Sequence, residues 1–92
     1  MTRAAEKKWL LYIVRCRDKT LYIGITNDLD RRLVMHKTGV ASRYTRSRLP
    51  VKLVFQELCS SRSDALKKEC ALKKLKRSEK EAYIKNHGYF DH

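Results

Sequence analysis

No apolar run in this sequence is long enough to cross a membrane. A membrane-spanning helix needs about 18 consecutive apolar residues, whereas the most apolar stretch, residues 9–14, is far shorter. Residues 1–8 also lack the apolar segment of a signal peptide. A membrane-spanning or secreted protein is therefore not expected, and we predict a cytoplasmic protein without a membrane partner.

Cysteine is scarce, and its spacing fits neither a cross-link nor a metal site. Cys16, Cys59 and Cys70 are odd in number and lie far apart, without a Cys-x-x-Cys motif or a histidine at metal-binding spacing. A disulfide framework and a zinc site are therefore not expected. We predict that all three are buried thiols in a reducing compartment.

Acidic residues are few compared with basic ones. Ten Asp and Glu stand against 22 Lys and Arg, which leaves a net charge of +12. Nucleic acid is the commonest partner of so basic a domain, because each neutralised phosphate releases counterions and adds affinity. An anionic membrane surface would require a basic amphipathic helix with exposed apolar residues, and the single tryptophan lies at a strand-like run instead. A basic protein that its charge merely keeps soluble is the remaining alternative.

The length and composition predict one small domain. A chain of 92 residues has room for a single core. Its 42% hydrophobic and 9% aromatic residues are too many for a disordered chain. We expect the domain over residues 9–86, with a frayed N-terminus at residues 1–8 and a C-terminal tail at residues 87–92.

Three apolar runs predict three strands. The first two, residues 9–14 and 21–25, are rich in aromatic and branched side chains and flank a short polar turn, which is typical of a β-hairpin. Alternation places Tyr12 on one face of the first strand, and Tyr22 with Gly24 on one face of the second. A third strand-like run lies within residues 49–58. These runs predict a three-stranded, largely antiparallel sheet.

Three helices are predicted to flank the sheet. Residues 26–28 supply N-cap chemistry for a first helix that runs to about Lys37. Ser61 opens a second helix, and the capping box Ser78-x-x-Glu81 opens a third. Residues 38–48 are interpreted as a basic loop. The predicted fold is therefore a small α/β domain in the order β-β-α-β-α-α.

Two polar side chains fall near the inward face of the first helix. At about 100° per residue, Arg32 and His36 project close to the apolar stripe of Leu29 and Leu33. On this helix alone, the favoured interpretation is an arginine that extends from the edge of the core and an ordinary half-buried histidine.

A carboxylate falls on the inward face of the second helix. Glu69 lies inside the arc formed by Ala65, Leu66, Cys70 and Leu72. An ion pair with Lys73, one turn on, would contribute only about 0.2 to 0.5 kcal/mol. Burial of a carboxylate costs more than that unless the group is paired or binds a metal. Glu69 is therefore a candidate site residue.

Together these polar residues indicate a catalytic site. Arg32 can neutralise a phosphate, Glu69 can hold a hard divalent ion, and a tyrosine near such positive charges can have a pKa below its usual value of about 10. Two strand tyrosines with an inward Arg, His and Glu form a cluster that a small core would not hold without a function. The combination is typical of metal-assisted phosphodiester hydrolysis.

The same residues carry a family resemblance. Tyr22-Ile23-Gly24 is followed by Thr26, Leu29, Arg32 and His36. With Tyr12 before them and Glu69 after them, the sequence resembles the GIY-YIG endonuclease domain, most closely its small stand-alone bacterial members. The resemblance covers about residues 10–84 and includes the basic segment at residues 41–50.

The resemblance implies a role for each of these side chains. Tyr12 and Tyr22 would be the conserved tyrosines, one of them acting as general base toward the attacking water. Arg32 would stabilise charge on the scissile phosphate, and His36 would relay a proton or contact phosphate. Glu69 would be the single protein ligand of a Mg²⁺ or Mn²⁺ ion, whose other ligands come from water and substrate.

The sequence also departs from the family pattern. Its first triplet reads Leu10-Leu11-Tyr12, without the glycine and isoleucine, and we expect packing differences rather than lost activity. Gly24 would let the backbone approach the site closely. Asn86 is the candidate for an asparagine that larger members carry. Because no DNA-binding module is attached, target choice would depend on the domain surface or on a recruiting partner.

The basic segment is the predicted nucleic-acid contact. Arg43, Arg46 and Arg48 would bind backbone phosphates. Tyr44, between them, is equally well interpreted as a platform for an unpaired base or as a packed loop anchor. The lysines of the second and third helices are better interpreted as a solvated surface than as a substrate contact.

The leading hypothesis is a metal-dependent endonuclease that hydrolyses DNA, with single-stranded or branched substrates favoured. The alternative is a non-catalytic nucleic-acid-binding module that retains the fold. RNA is a possible ligand in either case, since a basic surface does not distinguish RNA from DNA by charge.

Overall fold

The computed structural model describes residues 8–86, which form three strands and four helices. The strands are β1 (Trp9–Arg15), β2 (Leu21–Thr26) and β3 (Lys52–Cys59), and the helices are α1 (Leu29–Lys37), α2 (Arg43–Arg46), α3 (Arg62–Lys73) and α4 (Arg77–Asn86). The predicted α/β fold is confirmed. The frayed N-terminus and the C-terminal tail expected from the sequence lie outside the described residues, apart from Lys8.

The sheet is antiparallel with the strand order β2-β1-β3. The most apolar strand, β1, lies in the middle, where both of its faces are covered. Tyr12 pairs with Gly24 and Val14 pairs with Tyr22. Because directly paired residues lie on the same face of a sheet, Tyr12, Tyr22 and Gly24 share one face, which we call the site face.

The opposite face of the sheet, called the core face, carries the apolar core. Helices α3 and α4 pack there, and the cluster that results contains Leu11, Ile13, Ile23, Val54, Phe55, Cys59, Ala65, Leu72 and Ile84. At the edge of this cluster, Tyr83 donates a hydrogen bond of 2.9 Å to Glu57, which also accepts one of 2.7 Å from Lys68. These contacts tie β3 to both helices.

Helices α1 and α2 lie on the site face. The Asp28 carboxylate caps α1 by accepting from the Arg31 N–H, and Gly39, with φ of +82°, follows its C-cap. The loop predicted at residues 38–48 contains α2, a single turn whose N-cap, Ser42, accepts from the Thr45 N–H. The loop prediction was therefore incomplete, because one capped turn is too short to show a helical period.

Two features of the later helices differ from the prediction. Cys70 is exposed, and Leu66 is 39% exposed, although both were placed on the inward arc of α3. The inward stripe of α3 consists of Ala65, Glu69 and Leu72, spaced i, i+4, i+7. Leu66 and Cys70 each follow a residue of this stripe by one position, and they therefore face solvent.

The third predicted helix also begins earlier than its capping box suggested. The α4 helix begins at Arg77, and the Glu79 carboxylate accepts from the Lys76 N–H at 2.8 Å. The box at Ser78 was therefore wrong by about half a turn. Within residues 8–86, none of the helices is long and apolar enough to cross a membrane.

Candidate active site

A chain of hydrogen bonds runs through the site face from β1 to α2. The Tyr12 hydroxyl lies 2.9 Å from Nε2 of His36, and Nδ1 of His36 lies 2.9 Å from the Thr45 hydroxyl. Tyr12 is 2% exposed, and His36 and Thr45 are 0% exposed. Three polar side chains from three elements are therefore buried together, each with a partner.

One tautomer of His36 is consistent with the contacts at the far end of this chain. When the Thr45 hydroxyl donates to the Ser42 carbonyl, 3.4 Å away, its oxygen accepts from Nδ1–H of His36. In that tautomer the other ring nitrogen, Nε2, carries no proton and accepts from the Tyr12 hydroxyl. In this arrangement, His36 is a neutral base placed against the proton of Tyr12.

Burial controls the pKa values of this pair. Desolvation, and then the charge of Arg32, lower the pKa of His36 below its usual value of 6.5. Desolvation also raises the pKa of Tyr12 well above 10, with a further contribution from Tyr22 and a smaller one from Glu69, while Arg32 acts in the opposite direction. The expectation that nearby positive charge lowers the pKa of a site tyrosine is therefore wrong for Tyr12, because burial outweighs Arg32.

Gly24 provides the space that the Tyr12 ring occupies. A Cβ atom at Gly24 would lie 2.7 Å from the Tyr12 hydroxyl oxygen and 2.8 Å from Cζ. Real Cβ atoms do not approach other atoms so closely, and any larger residue at this position would displace the ring. The close approach expected at Gly24 is therefore that of the Tyr12 ring to the backbone of β2.

Tyr22 is the more open of the two site tyrosines. Its ring is half-buried and meets the His36 ring edge-to-face, with centroids 5.3 Å apart. Tyr44 stacks beside it at 6.2 Å. Tyr22 thus connects the buried chain to the surface.

The basic segment lies next to Tyr22 by way of Tyr44. The Arg48 guanidinium lies 3.9 Å from the centre of the Tyr44 ring and also binds the Asp18 carboxylate at 3.0 Å. The Tyr44 ring is thus held between Arg48 and Tyr22, yet it stays 37% exposed. Arg43 and Arg46 are exposed on the same helix.

Two charged side chains, Arg32 of α1 and Glu69 of α3, influence the Tyr12 hydroxyl electrostatically. Arg32 also acts on His36. The side chain of Glu69 is only 19% exposed, and it pairs with Lys73 at 3.2 Å. The ion pair considered from the sequence therefore forms, but the Lys73 side chain is 55% exposed and can leave. All five predicted catalytic residues belong to one cluster.

The cluster fits a hard divalent ion bound by a single carboxylate. Within residues 8–86, no group of three or more His, Cys, Asp or Glu side chains could form a complete metal cage. Glu69 has no second carboxylate beside it in that group, and its only ion-pair partner among these residues is a largely exposed lysine. This donor set suits an ion that keeps most of its water ligands.

One member of the buried chain was not predicted. Thr45 lies in the segment interpreted as a loop, and its spacing from Ser42 is that of an N-cap and its N3 residue. That spacing could have indicated α2, although not the contact with His36. Asn86, the candidate for the family's C-terminal asparagine, is exposed at the end of α4.

The comparisons with known proteins agree with this geometry. A model described as the GIY-YIG catalytic domain matches residues 8–86. The chain belongs to the GIY-YIG family. GIY-YIG is a nuclease family whose members act on DNA and generally use divalent metals.

Relatives of this GIY-YIG chain carry the name UPF0213. A UPF0213 protein from Streptococcus pneumoniae serotype 4 is 42% identical over 79 residues, which cover 86% of this chain and 80% of the relative. Another, DP2720 from Desulfotalea psychrophila, is 47% identical over 78 residues, which cover 84% of this chain and 71% of the relative.

Two solution NMR structures have the same fold as this GIY-YIG chain. The UPF0213 protein BH0048 from Bacillus halodurans gives a TM-score of 0.60 with 36% identity, and the match covers 88% of this chain and 86% of the other. The protein EF2693 from E. faecalis gives 0.64 with 38% identity, and covers 89% and 88%.

The departure at the first GIY-YIG triplet places a leucine in the core. Leu11, at the position of the missing isoleucine, is fully buried in the core cluster. Tyr12 keeps its place against His36.

Proposed function

We propose that this protein is a metal-dependent endonuclease that hydrolyses phosphodiester bonds of DNA, with Mg²⁺ or Mn²⁺ as its metal. A single observation carries the proposal. The hydroxyl of Tyr12 is hydrogen-bonded to the neutral base His36 and lies within the fields of a cationic Arg32 and an anionic Glu69. A candidate proton acceptor therefore contacts a hydroxyl group whose pKa also responds to the charges of a candidate phosphate-binding arginine and a candidate metal-binding carboxylate.

In the proposed reaction, Tyr12 removes the proton of the attacking water. As the water oxygen bonds to phosphorus and the bond to the leaving oxygen breaks, Tyr12 accepts the water proton and passes its own proton to Nε2 of His36. Because the pKa of Tyr12 is raised, a free tyrosinate would be rare. Transfer to a base at 2.9 Å avoids that species.

Arg32 links substrate binding to this proton transfer. It is half-buried, and within residues 8–86 it has no carboxylate partner. Its positive charge lowers the pKa of His36 and so opposes the protonation that the reaction requires. A bound phosphodiester would offset that charge, and His36 would become a better base when substrate is in place.

Glu69 supplies the metal-binding carboxylate. A divalent ion bound there would stabilise the negative charge that develops on the phosphate oxygens and the leaving group. Without the metal, the Glu69 carboxylate is paired with Lys73 at 3.2 Å. Tyr22, at the surface above His36, would position the strand rather than move a proton.

The test compares two variants that each remove one negative charge. Glu69→Gln changes the proposed metal ligand, and Asp30→Asn changes an exposed carboxylate of α1. We expect metal-dependent cleavage of end-labelled DNA by the wild type and Asp30→Asn, and cleavage at least about 100-fold slower by Glu69→Gln. Binding in EDTA should be similar for all three, because the metal is needed for the transition state.

Two outcomes would contradict the endonuclease. Glu69→Gln could cleave as fast as the wild type, which would remove the metal ligand from the proposal. The wild type could also bind DNA with salt sensitivity and never cleave it with Mg²⁺ or Mn²⁺, which would favour a non-catalytic nucleic-acid-binding module.

We further propose that single-stranded or branched DNA is cut faster than intact duplex. Support comes from the surface next to Tyr22, where aromatic and basic side chains, Tyr44 and Lys73 among them, line one groove that an unpaired strand could enter. Matched single-stranded, duplex and flap DNA, with single-stranded RNA of the same sequence, would rank the substrates. Duplex cleavage at an equal or higher rate would reject this preference.

A further inference from the structure

A groove beside the catalytic cluster has no role in the proposed chemistry. Its volume is about 270 Å³, and it is lined by Leu21, Tyr22, Ile23, Tyr44, Lys73 and Lys80. The residues come from β2, α2, α3 and α4, and we call the feature the β2 groove. Tyr22 belongs both to its lining and to the catalytic cluster, so the groove begins where the proposed reaction takes place.

The composition of the β2 groove matches that of an unpaired nucleotide. Apolar and aromatic residues of β2 line it together with two basic residues, Lys73 and Lys80. A nucleotide of a single strand presents the same combination, a flat base and sugar beside a charged phosphate. In a duplex the base is paired and stacked, and only the phosphates would reach the groove.

Lys80 is available to an anion in a way that Lys68 is not. Lys68 is held on the core face by Glu57 at 2.7 Å and by Asp64 at 3.6 Å. Within residues 8–86, Lys80 has no carboxylate partner, although its side chain is partly buried against the groove. A lysine that is held near an aromatic surface without an acidic partner has the surroundings of a phosphate ligand.

Lys73 connects the groove to the catalytic cluster. The Lys73 side chain lines the groove, and its ammonium group lies 3.2 Å from the Glu69 carboxylate. A phosphate in the groove would compete with Glu69 for this lysine. Occupation of the groove would therefore release the carboxylate for its proposed metal.

We infer that the β2 groove binds the unpaired nucleotide next to the scissile phosphate, and that Lys80 and Lys73 hold its phosphate. This inference rests on the proposed function for the position of the scissile bond. It assigns strand binding to α3 and α4, whereas the sequence indicated the arginines of residues 43–48.

The test measures binding without catalysis. A fluorescently labelled oligothymidylate and a duplex of the same length are titrated with protein in EDTA over a series of salt concentrations. The variants are Lys80→Ala, Lys80→Arg and Lys85→Ala. Lys85 is the matched control, since it is an exposed lysine of the same helix outside the groove.

We expect Lys80→Ala to weaken single-strand binding about 5-fold to 10-fold. The plot of log binding constant against log salt concentration should become less steep by about 0.7, the value for the loss of one phosphate contact on a single strand. Lys80→Arg should restore most of the affinity, and Lys85→Ala should have a smaller effect. Duplex binding should change less than single-strand binding.

Two results would overturn the inference. Equal losses for Lys80→Ala and Lys85→Ala would mean that only net charge matters, and equal losses on duplex and single strand would remove the assignment to an unpaired nucleotide. Failure of the proposed function looks different. A protein whose single-strand binding depends on Lys80 but which cleaves no DNA would have the groove without the nuclease activity.

Discussion

Side chains from one strand are buried in two different ways on the two faces of this sheet. On the core face, Leu11 and Ile13 lie among other apolar groups that make no directional contacts. On the site face, Tyr12 is buried just as deeply, but against His36 and Thr45 through hydrogen bonds. No buried side-chain nitrogen or oxygen within residues 8–86 lacks a hydrogen-bond partner.

The two kinds of burial make different contributions to this small domain. Apolar burial depends mainly on area and shape, so the core face holds the fold together by its volume. Polar burial depends on each partner being present, because an unsatisfied buried group costs about 1–3 kcal/mol. We therefore expect stability to depend most on the core face, and activity to depend most on the site face.

The largest expected effect on stability is at the core face. Ile13→Ala removes a fully buried side chain at the centre of the cluster and leaves a cavity. We expect the free energy of unfolding to fall by about 2–5 kcal/mol. Urea denaturation measures the loss, and cleavage by the folded protein at low temperature should be nearly unchanged. A loss below about 1 kcal/mol would contradict the expectation that stability depends most on the core face.

A smaller effect is expected where the site face is most tightly packed. Gly24→Ala places a methyl group against two ring carbons and the hydroxyl oxygen of Tyr12, and we expect it to lower the free energy of unfolding by about 1–3 kcal/mol. Cleavage should fall as well, because the ring moves away from His36.

A double-mutant cycle tests the cause of that effect. Leucine at position 12 has none of the three atoms that the methyl group would meet, which are Cε1, Cζ and the hydroxyl oxygen of Tyr12. The double variant Tyr12→Leu/Gly24→Ala should therefore be more stable than the sum of the single effects predicts. Additive losses would show that the glycine is required for its backbone rather than for the ring.

The smallest effect concerns the pH dependence of stability. The pKa of His36 is lowered in the folded protein, so the unfolded chain binds more protons below pH 6.5. The contribution of neutral His36 is complete above that pH and is lost as the pH falls toward the lowered pKa. The slope is at most about 1.4 kcal/mol per pH unit.

The control for this pH dependence is His36→Gln. The other two histidines, His87 and His92, are present in both proteins and cancel in the comparison. Denaturation at pH 7.5, 6.5 and 5.5 should show a steeper loss for the wild type. Parallel curves would mean that His36 titrates normally, and that its burial has no electrostatic consequence.

Much of the fold could be predicted because its determinants are local. The strand runs are bounded by polar turns, and the caps at Asp28 and Ser61 lie where helices α1 and α3 begin. Alternation also predicts the faces of Tyr12 within β1 and of Tyr22 with Gly24 within β2, and the observed pairing of Tyr12 with Gly24 then brings the two tyrosines to one face.

Other features depend on contacts between distant segments. The sequence could not show that Tyr12 is buried deeply enough to raise its pKa, because that follows from how α1 and α2 cover it. It could not place Lys80 and Tyr22 in one groove either, since that groove depends on how α4 lies relative to β2. On α3, the predicted inward arc contained Glu69 but also Leu66 and Cys70, and only packing decides that these two side chains are exposed.

The space that Gly24 leaves for Tyr12 also limits how this protein can evolve. The two positions are paired across the strands, and neither can change freely while the other stays. A lineage that acquires a larger residue at position 24 must either displace the Tyr12 ring or lose the tyrosine, and in both cases the contact to His36 suffers. Selection for cleavage would then preserve the glycine indirectly, at a position where it has no side chain to contribute.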